Sequence, residues 1–383
     1  MSTLSFDELE ELTNRDGLVA AFDRLANELA AEGRRHELFD IRLMQARHRL
    51  GLNAASVASL DDLEEPARTR MEDAYLAACR EVGFGLLRDG KLREAWMYLR
   101  PVGEKAEVAA ELARFKDDAE RMEPLIEIAL HEGVSPELGF ELVLNHYGIC
   151  NAITMFDSQL GQRPMADRKR VAALLVRRLH EELLANVRAH VEQHEGAPAA
   201  GERLATLIEK RPWLFEADNY HVDTTHLASV VRIGMVCDDR ASLELLADMC
   251  AYGRRLSQHY QFPGEEPFRD TYTAYSLFYG AQLGTDVDAA IDYFRAAAAV
   301  ADAEENSAPA EILVGLLARL GRYAEALEES ANRLPPAARR GGFAPTMVEL
   351  ADLGGLHQRL LRYGREREDL LSFAAALAGA AKK

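Results

Sequence analysis

The stretch YHVDTTH, Tyr220 to His226, places two histidines and an aspartate within a few residues. Imidazole nitrogens and carboxylate oxygens are ordinary ligands of zinc and similar ions, and a bound ion would act as a Lewis acid. His221, Asp223 and His226 are therefore the candidates for a metal-dependent enzyme. The same residues also have a plainer role. If a helix begins after Asp223, then Leu227, Val230, Val231 and Gly234 fall at i, i+3, i+4 and i+7 and form its apolar stripe. Asp223 is then an N-cap, its carboxylate accepting from the amides of Thr225 or His226. His221 lies outside that helix and His226 in its first turn. Five-residue spacing within a helix would set the rings about 140° apart. The HExxH pattern, which brings two ligands to one face and supplies a base, is absent.

His190 and His194 make a geometrically better metal pair, one helical turn apart near the end of a long helix and beside Glu195. Against this, histidines in a last turn also complement the helix dipole while remaining solvated. His146 and Cys150 share a face of the helix FELVLNHYGICNAITMFDSQL, near the core stripe of Leu142, Ile149, Ile153, Phe156 and Leu160, and are expected to be interior. On the opposite side Tyr147, Asn151, Thr154 and Ser158 form an uncharged polar stripe, which either bonds a neighbouring helix or lines a groove where Asn151 clamps a peptide backbone. Phe268, Tyr272, Tyr275 and Tyr279 form an aromatic stripe at i, i+4, i+7 and i+11. Such a stripe belongs to a core or, being mostly tyrosine, to a half-exposed recognition face. RRGGFAPT, Arg339 to Thr346, reads as an inter-helix joint. Nucleophile-elbow, Walker, dinucleotide and kinase signatures are all missing, so no cofactor is expected.

The elements that carry these residues are helical. In 383 residues Ala, Leu, Glu and Arg dominate, and runs of Val, Ile and Thr with two-residue alternation are missing. Gly17, Gly33, Gly51, Gly90, Gly133, Gly161, Gly284 and Gly321 each follow an amphipathic segment, where a C-terminal cap wants left-handed dihedrals. The punctuation predicts a train of about fifteen helices with short joints. A net charge of −18 argues against nucleic acid or an anionic membrane as the main partner. Cys79, Cys150, Cys237 and Cys250 are scattered without paired spacing and are expected to be reduced and buried. The acidic start MSTLSFDELEE does not read as a signal peptide, and no apolar run approaches the roughly 20 residues that span a bilayer, so a cytoplasmic location is expected.

Self-comparison shows a recurring unit. Val82–Val102, Tyr275–Ala297 and Glu311–Pro335 each contain an apolar helix, a Gly-centred turn and a second helix with a small residue near its start: Ala95, Ala290 or Ala326. The small residue lets two helices cross closely, and Leu99 or Phe294 fills the adjacent gap. This pattern resembles the tetratricopeptide repeat (TPR) family. In GRYAEALEESANRLP, Gly321, Tyr323, Ala326 and Pro335 fall on the family's preferred types, and GKLREAWMYL follows with Gly83, Gly90 and Ala95. GTDVDAAIDYF needs an extra residue in its turn, and Leu25–Leu50 keeps only Gly33 and its amphipathic flanks. About a third of the chain carries the motif, and the stretch from about residue 104 to 266 departs from it.

The resemblance implies an all-α solenoid of antiparallel helix pairs stacked into a superhelix. HEGAPAAGER, His194 to Arg203, is the linker candidate, separating an irregular N-terminal helical domain (1–195) from a C-terminal repeat domain (204–383). The implied function is a non-catalytic scaffold that presents a concave groove to a peptide or protein, with Tyr147, Asn151, Tyr272, Tyr275 and Tyr279 as its binding residues. The alternatives are the metal enzyme on His221, Asp223 and His226, with His190 and His194 as further candidate ligands, and a self-assembling structural protein.

Overall fold

The computed structural model describes residues 4–56, 59–301, 306–334 and 342–381. Pro335 and Arg339 to Gly341 lie outside the described residues. The described residues form nineteen α-helices joined by short 3-10 and π turns, with no strand among them. The excess over the expected fifteen comes from short helices that span too few turns to register as periodic. No helix among the described residues is long and apolar enough to cross a membrane.

The chain divides into two compact units, Met1–His146 and Tyr147–Lys383. The first opens with α1 (Phe6–Asp16), α2 (Leu18–Ala31), α3 (Arg35–Arg49), α4 (Ala67–Arg88) and α5 (Leu92–Leu99), each packed on the next. A capping box starts α1: the Ser5 hydroxyl accepts from the Glu8 amide while the Glu8 carboxylate accepts from that of Ser5. Between α2 and α3 the turn needs Gly33, at φ 73°. The α4/α5 hairpin crosses as its small residues predict. Ala95 is fully buried, and a Cβ at Gly83 would come within 2.6 Å of Leu99 Cγ. The unit continues through α6 (Lys105–Leu112) and α7 (Met122–Ile126), which runs into a π turn, Glu127–His131.

Helix α8 (Pro136–Met155) is broken at Gly148, whose φ of 81° and ψ of 177° are not helical, and the two units divide beside this break. A π turn, Phe156–Leu160, continues it. The second unit then holds α9 (Met165–Glu195), α10 (Leu204–Lys210), α11 (Thr224–Ile233), α12 (Arg240–Gly253), α13 (Thr271–Gln282), α14 (Val287–Val300), α15 (Ala308–Arg319), α16 (Tyr323–Arg333), α17 (Met347–Gly354), α18 (His357–Glu366) and α19 (Leu370–Ala380). From α12 onward consecutive helices pack pairwise, and Ala290, Phe294 and Ala326 are fully buried at their crossings. The long α9 lies against α10, α11 and α12. The segment His194–Arg203, expected as a linker, is a joint within the second unit between α9 and α10. Arg188 of α9 donates into it, to the Glu202 carbonyl at 2.6 Å, and Lys210 of α10 pairs with the Glu202 carboxylate at 2.8 Å.

Three expectations change. Gly161 sits at φ −56°, an ordinary right-handed conformation, because the π turn has already ended the helix. His146 and Cys150 are exposed rather than interior, since the face assignment assumed one continuous helix and Gly148 interrupts it. Of the four free thiols, Cys79, Cys237 and Cys250 are buried. Burial pushes the Cys237 thiol up to about 12, which makes it a poor nucleophile at neutral pH.

Candidate functional site

Asp223 caps α11. Its Oδ1 accepts from the amides of Thr225 at 2.8 Å and His226 at 3.1 Å, and from the Thr225 hydroxyl at 2.6 Å. That hydroxyl, with the two amides, holds the carboxyl below its usual range. The trio His221, Asp223 and His226 therefore does not converge on an ion. Among the described residues, no group of three or more His, Cys, Asp or Glu side chains is placed to hold one.

Folding instead joins one member of each histidine pair. His190 Nδ1, on the last turns of α9, lies 2.9 Å from His221 Nε2, in the loop before α11. The other nitrogen of His221 lies 2.9 Å from the hydroxyl of Tyr252 on α12, which also accepts from the His221 amide at 2.8 Å. Asn186 donates to the His221 carbonyl at 2.7 Å. Whichever way the proton chain runs, only one proton can lie between the two rings, so the contact cannot form when both imidazoles are protonated. His194 does not join them. It stacks on Trp213 with centroids 4.3 Å apart, while His190 meets the same indole edge-on. Neither Trp213 nor Tyr252 is marked by a motif, and a tyrosine in LLADMCAYG looks like any other core residue.

Burial, followed by the proximity of His190, lowers the His221 pKa to about 4. A folded pKa below the unfolded value of about 6.5 means that the unfolded chain binds the proton more tightly. The stability from neutral His221 is thus complete above about pH 6.5 and is lost as pH falls towards 4. Discounted for partial exposure, the loss is expected to be about 2 kcal/mol. Urea unfolding at a series of pH values checks it, because His221→Asn should lose that much less stability than the native chain over the same interval. Parallel curves would remove His221 as the cause.

The binding candidates are placed differently from expectation. Tyr272 and Tyr275 are 1% and 4% exposed and Tyr279 is fully buried, so these three offer no open recognition face. The reason is that α13 packs against both α12 and α14, which cover it on two sides. Phe268 stacks on Tyr275 with centroids 3.9 Å apart, and the Tyr279 hydroxyl donates to the Val231 carbonyl at 2.5 Å. Tyr147 and Asn151 are exposed, but Gly148 lies between them, so they do not share a continuous helical stripe. The Asn151 amide donates to the Tyr147 carbonyl at 2.7 Å and Thr154 to the Cys150 carbonyl at 3.1 Å, so their donors serve their own chain.

The second unit also contains a cleft of about 660 Å³, within the range of small-ligand sites. One wall is α11, through Ala228, Ser229, Arg232 and Ile233, continued by Met235 and Val236 of the 3-10 turn. The loop FPGEEPF, Phe262 to Phe268, forms the other, and Phe156, Tyr275 and Ile312 complete the lining. The Thr271 hydroxyl donates to the Phe262 carbonyl at 2.8 Å and that of Tyr293 to the Pro267 carbonyl at 3.0 Å, which fixes the loop. At Gly264 a Cβ would meet the Phe268 carbonyl at 2.4 Å, so only glycine allows this turn. The charges are unequally placed. Arg232 pairs with Asp157 at 2.7 Å, and Glu265 and Glu266 are exposed on the loop. Arg168, from the first turn of α9, lines the cleft with a buried Nε that has no hydrogen-bond partner. Its place in the sequence, within ADRKRV, gives no signal of this.

The fold and site define an all-helical protein of packed consecutive helix pairs with an apolar, arginine-bearing cleft in its second unit. Comparison of the chain with family models, with curated proteins and with solved structures finds no match.

Proposed function

We propose that this chain is a non-catalytic interaction protein of stacked, TPR-like helix pairs, acting in the cytoplasm, and that the cleft beside α11 takes a peptide segment of a partner. The observation that carries the reading is the cleft itself. Its walls are mainly apolar, with Phe156, Ile233, Met235, Phe268 and Ile312 facing a volume suited to a few side chains. Helices packed on both sides of α13 give it a rigid floor, which lowers the ordering cost of binding. This cleft replaces the tyrosine stripe as the recognition surface, and Tyr275 contributes only as part of its lining.

Filling the cleft tests the reading. Ser229 lies on its wall and is half-buried, so a bulky residue there projects into the space without displacing core. Ser229→Trp and, separately, Ala228→Trp are expected to weaken peptides selected from a random displayed library against the native protein by at least about tenfold. Circular dichroism and thermal melting should be unchanged. Selected peptides that bind both variants with native affinity would place recognition elsewhere.

A further inference from the structure

The Arg168 guanidinium, with its unpartnered Nε, points to the chemistry of the ligand. That Nε is shielded from solvent without an internal partner, and no ion pair among the described residues offsets the charge, so a carboxylate on the cleft side of the guanidinium would compensate the cation. The other charges around the cleft are either satisfied or solvated. Arg232 is engaged by Asp157, Glu266 lies 3.9 Å from Arg269, and Glu265 is exposed. Exposed carboxylates are screened by water and salt, whereas a charge among apolar walls acts at lower dielectric. Of the two arginines that line the cleft, Arg168 is therefore the one whose charge no carboxylate of the described residues engages. Its fork of donors also favours a carboxylate, which can accept two bonds at once.

We infer that the segment taken by this cleft carries an aspartate or glutamate whose carboxylate pairs with Arg168, flanked by apolar side chains that lie on Ile233, Met235, Phe268 and Ile312. The inference rests on the peptide-binding reading above, and the two can fail separately. Arg168→Met keeps an unbranched apolar stem and removes only the charged head, and Arg168→Lys restores a charge without the fork.

The test uses the full-length protein and peptides selected from a random displayed library, screened for loss of binding on Ser229→Trp. These cleft-dependent peptides are expected to share an acidic residue within an apolar run. Changing that residue to its amide should weaken binding about tenfold to native protein and leave binding to Arg168→Met unchanged. Arg168→Lys should recover part of the affinity. Cleft-dependent peptides with no shared acid and no loss on Arg168→Met would overturn the inference while leaving peptide binding intact. If no peptide depends on the cleft, both fall. Arg168-dependent binding of a fatty carboxylate such as dodecanoate, with no peptide bound, would overturn the assignment to a peptide. Native melting behaviour of Arg168→Met and Arg168→Lys separates lost recognition from lost fold.

Discussion

Phe278→Ala is expected to destabilise the protein by about 4 kcal/mol, the upper part of the range for removing a buried aromatic ring. Phe278 is fully buried near the middle of α13. Its ring packs edge-on to Phe268, Tyr279 and Phe294, with centroids 6.0, 5.5 and 6.0 Å away, and lies 5.9 Å from that of Phe343. Removing it loses the transfer free energy of the ring and leaves a cavity. That cavity cannot close readily because the surrounding rings are rigid and are carried by α13, α14 and two loops. Phe278→Leu, which refills part of the space, should cost less than half as much. Urea unfolding of both variants checks the prediction. A loss below about 1 kcal/mol for alanine would mean that the aromatic cluster collapses around the gap, contrary to this packing. Because Phe268 lines the cleft, alanine at Phe278 should also weaken cleft-dependent peptides at temperatures where the chain remains folded.

The second large effect belongs to Arg319, at the end of α15. Its Nη1 donates to the Cys237 carbonyl at 2.9 Å and to Gln282 Oε1 at 3.1 Å, and its Nη2 to the Val236 carbonyl at 3.3 Å. The guanidinium also lies over the Phe343 ring, 4.6 Å from its centroid. Burial lowers its pKa, yet an arginine starts so high that it stays charged. Arg319→Ala therefore removes three charge-assisted bonds and leaves two backbone carbonyls of the turn after α11 without that donor. We expect a cost of about 3 kcal/mol. Arg319→Lys should recover only part, since one ammonium cannot reproduce the planar fork. Denaturant unfolding measures both. A lysine variant as stable as the native chain would show that charge alone, not the fork, holds this turn. Since Met235 and Val236 belong to the same turn, loosening it would also widen the cleft.

Local chemistry was the legible part of this protein. The Asp223 cap follows from residues within three positions of one another, and the structure shows the expected bonds. The close helix crossings at Ala95, Ala290 and Ala326 were readable because two backbones can approach closely only where the side chain between them is small. The tyrosine stripe on α13 was readable as a stripe, but not which of its two open roles, core or recognition face, its burial would favour. Helical periodicity places residues on one side of a helix but does not say what covers that side, and here α12 and α14 do. The Tyr147/Asn151 stripe failed for another reason. A single glycine at φ 81° interrupted a pattern whose side chains alone looked continuous.

By itself, then, the sequence determined that the chain is helical, where most helices stop, which residues cap them and which small residues let neighbours cross. Each of these depends on interactions within a turn or two of one helix. Only the tertiary structure decided that His190 faces His221 rather than His194, that Tyr252 completes their proton chain, and that Arg168, its Nε buried without a partner, lines an apolar cleft. These groups lie tens of residues apart, and what each does depends on which donors, acceptors and apolar walls packing brings to it.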